Sequence, residues 1–232
     1  MANDKSMFVS HNSVHLCGKI IRIERPKKNE IRFMLSCGHK NMKQDKDGKF
    51  ERDLIAVTFF DEAARKYEDR FVEGDFVTVN GVAQTIRDHY NGTSYVSIWG
   101  LSMGPKYVNG KMIPDHNNVN IRGKITSAVV MNKNYILLNV ITAAEKSRPN
   151  PNLESEHKKL TDTYRSITPI GIRCRGNAKD EIKKYTEGTW VDCYGYIEDK
   201  VVDRGEFKRR MYRIMALKTT VIGETQKVKV TN

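Results

Sequence analysis

Apolar and polar residues alternate with period two through most of the chain, the signature of strands with one buried face. Val14, Leu16, Gly18 and Ile20 share one parity and predict a first strand from Asn12, with Gly18 marking a bulge or bend. Ile31, Phe33 and Leu35 alternate with Arg32, Met34 and Ser36, giving a second strand over Glu30–Cys37 beyond the basic turn Arg25-Pro26-Lys27-Lys28-Asn29. A third strand follows over Asp53–Phe60. The period then changes: Ala64, Tyr67 and Phe71 fall at i, i+3 and i+7, which predicts a helix from Asp61, read as its N-cap, to Phe71. Val72–Gly81 reads as a fourth strand, entered through Gly74 and left through Gly81. Asn91-Gly92 is a hairpin signal leading into a fifth, Ser94–Leu101, in which Val96 and Ile98 face one way and Tyr95, Ser97 and Trp99 the other.

This order occurs twice. Val72-Glu73-Gly74-Asp75 and Val79-Asn80-Gly81 return as Thr186-Glu187-Gly188-Thr189 and Cys193-Tyr194-Gly195 at a constant offset of 114 (187 − 73). Ser13-Val14-His15-Leu16-Cys17-Gly18-Lys19-Ile20 returns as Asn118-Val119-Asn120-Ile121-Arg122-Gly123-Lys124-Ile125 at an offset of 105 (123 − 18). The second copy predicts strands over Tyr135–Thr142, Ile170–Cys174, Thr189–Tyr196 and Met211–Val221, with a helix over Ala178–Tyr185. The longer offset reflects an insertion at about 143–169, which carries three prolines and a helix-like run from Leu153 to Tyr164. The expected organisation is a first domain over 1–106, a linker over 107–116 and a second domain over 117–232.

Strand, strand, strand, helix, strand, strand is the order of the OB-fold, a five-stranded, partly open barrel. The predicted class is all-β, two tandem barrels, each with a helix between its third and fourth strands. An immunoglobulin-like sandwich has no place for Asp61–Phe71 or Ala178–Tyr185.

Composition sharpens this picture. The net charge of +12 points to a polyanionic partner. Lys19–Arg52 holds eleven Lys/Arg against five Asp/Glu, whereas Asp61–Asp75 holds six acids against three bases, so a basic face and an acidic helix are expected. The four cysteines are dispersed without a C-x-x-C, and Cys37 with His39 lacks a second ligand pair, so no metal, cofactor or disulfide scaffold is expected. No apolar run approaches the length of a membrane span, and a cytoplasmic location, bacterial or in an infected cell, is expected. Phosphate-loop and G-x-S-x-G motifs are absent, and no enzyme is expected.

Val14-His15-Leu16-Cys17-Gly18-Lys19-Ile20, Val57-Thr58-Phe59-Phe60 before an Ala-containing helix, Val72-Glu73-Gly74-Asp75 and Val79-Asn80-Gly81 together resemble the bacterial and phage single-stranded DNA-binding proteins. The similarity covers about 12–104 and, more weakly, 117–223. It implies OB-folds that coat single strands during replication, repair or recombination. The family's acidic tail with an apolar tip has no counterpart in Lys227-Val228-Lys229-Val230-Thr231-Asn232, so recruitment of replication or recombination proteins by that route is not implied. The family's tryptophan-rich stacking set is also missing; Asp53 stands at one such place. Two units per chain resemble the tandem members, so a monomer or homodimer is expected.

A sequence-tolerant binder needs a cationic groove and aromatic platforms. For the first unit the candidate cations are Lys19, Arg22, Lys27, Lys28, Arg32, Lys40, Lys43, Lys49, Arg52 and Arg87, and the candidate platforms Phe33, Phe50, Phe59, Tyr90, Tyr95 and Trp99. Core packing competes for Phe33 and Phe59, where apolar alternation continues on both sides. For the second unit the candidates are Phe207, Lys208, Arg209, Arg210 and Tyr212, supported by Arg122, Lys124, Arg173 and Arg175. Single-stranded DNA is the expected partner. RNA binding, or recruitment of a replication enzyme by the second barrel, are the rival readings.

Overall fold

Alternation becomes geometry in the computed structural model, which describes residues 10–39, 44, 46–48, 52–87, 94–108, 111–142, 169–203 and 208–224. The first unit consists of β1 (His11–Lys27), β2 (Glu30–Cys37), β3 (Asp53–Phe60), α1 (Asp61–Tyr67), β4 (Phe76–Arg87) and β5 (Ser94–Pro105). A ribbon of β6 (Tyr107–Val108) and β7 (Lys111–Met112) leads to the second unit: β8 (His116–Asn132), β9 (Tyr135–Ile141), β10 (Ile170–Arg175), α2 (Ala178–Glu181) with a 3-10 turn over Ile182–Lys184, β11 (Thr189–Asp203) and β12 (Lys208–Glu224).

In each unit the strands close on themselves. The first runs β1-β2-β3-β5-β4 and returns to β1; the second runs β8-β9-β10-β12-β11 and returns to β8. The third and fifth strands of each pair in parallel, and the other pairings are antiparallel. These are two tandem OB-fold barrels. The inward parity of β1, β2 and β3, with Val14, Leu16, Ile20, Phe33, Leu35, Val57 and Phe59 all fully buried, fills the first; Val119, Ile121, Leu138, Val140, Ile172 and Val191 fill the second.

The repeated residues occupy matching places. Gly74 and Gly188 have φ of 99° and 91°, in the left-handed region open to glycine, and their amides donate to Ile20 O and Ile125 O, both at 2.9 Å. Gly81 and Gly195 sit at register shifts, where a Cβ would lie 2.5 Å from Trp99 O and 2.0 Å from Met215 O. These two glycines do not end their strands, as the sequence suggests; they are bulges through which β4 and β11 continue to Arg87 and Asp203.

The barrels are joined by β1 and β8, antiparallel from His11↔Arg122 to Cys17↔His116. With the offset of 105, His11 matches His116 and Cys17 matches Arg122, so the ladder is a pseudo-twofold within one chain. Two predicted helix details change. Helix α1 ends at Tyr67, not Phe71, and Asp61 has φ 52° and makes no side-chain cap. The helix-like run over 153–164 lies outside the described residues.

Candidate nucleic-acid interface

Parity also decides what faces outward. On β2 and β3 the inward set is Ile31, Phe33, Leu35 and Ile55, Val57, Phe59, which leaves Arg32, Met34, Ala56, Thr58 and Phe60 on the other face. Beside them β5 presents Tyr95, Ser97 and Trp99, and the end of β1 brings Arg22, Glu24, Pro26 and Lys27. The second barrel supplies the remaining wall: Arg210 and Tyr212 of β12 reach over the first unit. Together they bound a groove of about 840 Å³.

Its aromatic wall is ordered. The rings of Phe60 and Trp99 meet edge to face, with centroids 4.9 Å apart. The Tyr212 hydroxyl accepts a hydrogen bond from Ala56 N at 2.9 Å, and Asp199 Oδ2 accepts one from Leu54 N at 3.3 Å. Strand β3 pairs with β5 only at Val57 and Thr58, so its first half is an open edge. The second barrel satisfies that edge with side chains.

Of the predicted residues, Arg22, Lys27, Arg32, Tyr95, Trp99, Arg210 and Tyr212 converge on this groove. Phe33 and Phe59 do not. Both are fully buried, packed edge to face at 5.9 Å, and Phe59 also meets Tyr67 at 4.9 Å; neither offers a face to a base. Lys19 places its ammonium 5.9 Å over the Phe76 ring, away from the groove, and Lys28 is exposed in the β1–β2 turn. Arg52 is held by Asp115 and by Ser36, a clamp that Lys106 completes. In the second barrel Arg122 pairs with Asp192 at 2.6 Å, Lys124 and Arg175 are exposed, and burial followed by the charge of Arg213 lowers the pKa of Arg173. Lys40, Lys43, Lys49, Phe50, Tyr90 and Phe207 lie outside the described residues, as do the side chains of Arg87, Lys208 and Arg209.

Arg22, Lys27, Arg32 and Arg210 share the described groove with Glu24, Glu30 and Asp61, so the described part is close to charge-balanced, while Lys40, Lys43 and Lys49 of the expected basic face lie outside the described residues. The sequence reading passed over those acids, and over Phe60, which has the outward parity of Thr58.

Behind the groove lies a polar junction that the sequence reading did not find. Asn117, 1% exposed, donates to Ile197 O at 2.7 Å and to Asp53 Oδ2 at 3.3 Å, and accepts from Ile197 N at 2.9 Å. Asp53 Oδ1 accepts from Asp199 N at 3.0 Å; its other oxygen lies 3.3 Å from His39 Nε2, whose ring stacks on Tyr196 at 4.0 Å. Asn12 clasps Ala83 in the same two-way manner, at 2.8 and 3.0 Å. The offsets of 105 and 114 relate Asn12 to Asn117 and Ala83 to Ile197. The signal was one residue upstream of the aligned repeat: His11-Asn12-Ser13-Val14 against His116-Asn117-Asn118-Val119.

Burial raises the Asp53 pKa to about 6, opposed by His39 and the Asn117 hydrogen bond, while burial lowers that of His39. The signs oppose. The raised carboxyl stabilises the fold at low pH and loses that contribution as pH rises to about 6; the lowered imidazole contributes above its unfolded value of 6.5 and loses it as pH falls. Asp53→Asn removes the first effect. Melting temperatures from pH 4.5 to 7 should therefore rise more steeply with pH in the variant than in the wild type, whatever its baseline.

No protein-family profile and no curated protein sequence matches the chain. Among solved structures, it is similar to the wild-type single-stranded DNA binding protein from Thermus aquaticus, with a TM-score of 0.60, 13% identity, and coverage of 92% of this chain and 93% of that one. A deletion mutant of the same Thermus aquaticus protein gives 0.58, 14%, 92% and 95%. No helix among the described residues is long and apolar enough to cross a membrane. The chain is thus a tandem OB-fold protein that shares its architecture, over 92% of its length, with the Thermus aquaticus single-stranded DNA binding protein.

Proposed function

We propose that this chain is a sequence-tolerant single-stranded DNA-binding protein that coats and protects strands during replication, repair or recombination, acting by binding and not by catalysis. The observation that carries the reading is the composite groove. A flexible strand needs flat rings for its bases and cations for its backbone along one path, and the groove offers Phe60, Trp99 and Tyr95 beside Arg22, Lys27, Arg32 and Arg210. The similar Thermus aquaticus structures are of a protein that binds single-stranded DNA. From the range for one OB unit, two would occlude roughly 8 to 32 nucleotides.

The test is an equilibrium titration of labelled single- and double-stranded oligonucleotides of equal length at several salt concentrations. Preference for the single strand, with affinity falling as salt rises, supports the reading. Equal or greater duplex affinity contradicts it, and competition by poly(U) stronger than by poly(dT) would move it to RNA. Trp99→Ala should weaken single-strand binding by about 1–3 kcal/mol, roughly 5- to 150-fold, the cost of one lost stacking platform.

A further inference from the structure

All three guanidinium groups that line the described groove already carry a carboxylate. Arg22 pairs with Glu24. Arg32 lies between Glu24 Oε2 at 3.4 Å and Glu30 Oε1 at 3.3 Å. Arg210 pairs with Asp199 across the β11–β12 hairpin. Glu24 and Arg32 are register partners across β1 and β2, and Glu30 stands two residues from Arg32 on the same face of β2. The Glu30 side chain is only 12% exposed. Glu24 and Glu30 line the groove itself.

A ligand that offers phosphates alone gains little from such a groove. To reach Arg22 or Arg32 it must displace a carboxylate and then lie beside it, exchanging one anion for another with added repulsion. A duplex is such a ligand, because its base faces are stacked inside. A single strand has a second source of affinity in those faces, which the Phe60–Trp99 pair and Tyr95 can receive.

We propose that Glu24 and Glu30 are selectivity residues, which neutralise Arg22 and Arg32 so that backbone charge by itself does not secure binding and unpaired bases become a condition of it. The inference rests on the single-strand reading and adds to it a repulsive element of the kind that specificity requires. It also explains why acids occupy the groove of a chain with net charge +12.

The experiment compares wild type, Glu24→Gln and the double variant Glu24→Gln/Glu30→Gln for binding to a dT oligonucleotide and to a duplex of equal length at fixed salt. Both substitutions keep side-chain size and remove charge. Duplex affinity should rise more than single-strand affinity, narrowing the preference by roughly 3- to 10-fold in the double variant. An unchanged preference in variants that melt like the wild type overturns the inference and leaves the single-strand reading standing. Wild type that fails to bind the dT strand overturns both. Should the double variant melt early, Glu24→Gln carries the test alone, because that side chain is 32% exposed and its loss leaves the core intact.

Discussion

Phe59→Ala is expected to destabilise the first barrel by about 3–5 kcal/mol, a large part of the stability of an ordinary domain. The ring is fully buried and touches two others, Phe33 at 5.9 Å and Tyr67 at 4.9 Å. It also covers Gly100 so closely that a Cβ there would lie 2.2 Å from its Cζ. Truncation removes the contacts of a whole ring and leaves a cavity that a closed barrel has little room to collapse. Chemical denaturation measures the loss directly. A stacking platform would behave in the opposite way, leaving the unfolding midpoint unchanged while strand affinity fell, and that result would return Phe59 to the surface.

Asn117→Ala should cost a comparable amount, about 3–5 kcal/mol, because the damage falls on groups left behind. Alanine would strand the N–H and C=O of Ile197 and remove a donor from Asp53, all at a site 1% exposed. Each buried polar group without a partner costs about 1–3 kcal/mol. The matching variant Asn12→Ala is the internal control. It strands only the two groups of the buried Ala83 and takes no donor from a carboxylate, and because Asn12 is itself half-buried its removal opens a path for water, so about 1–2 kcal/mol is expected. Equal effects of the two substitutions in urea unfolding would show that the junction adds nothing beyond the strand pairing it extends.

The contrast between these asparagines shows what a sequence makes legible. Strands β2 and β3 match their expected bounds, Glu30–Cys37 and Asp53–Phe60, because each alternates cleanly between turn residues. Period two also separates inner from outer positions, which is why Arg32, Tyr95 and Trp99 could be found. The same rule placed Phe33 and Phe59 inside, where the structure has them, and so argued against their use as platforms. Gly81 and Gly195 misled for a physical reason: a glycine that stops a strand and one that bends it look alike until the partner backbone is known. What local pattern cannot carry is the meeting of distant segments. Arg210 and Tyr212 were expected to serve the second barrel, yet they wall the first, since the fold of β1 onto β8 brings β12 over the open half of β3. The groove acids were missed because net charge counts residues without saying which share a face.

The most direct test is Trp99 fluorescence in a Trp190→Phe variant, which leaves Trp99 as the sole tryptophan, during titration with a dT oligonucleotide. A strand that lies in the groove between the barrels must pass this indole, so emission should be quenched and saturate at the same stoichiometry as binding measured by anisotropy. Saturable strand binding with unchanged Trp99 emission would place the nucleic acid on some other surface and contradict the account.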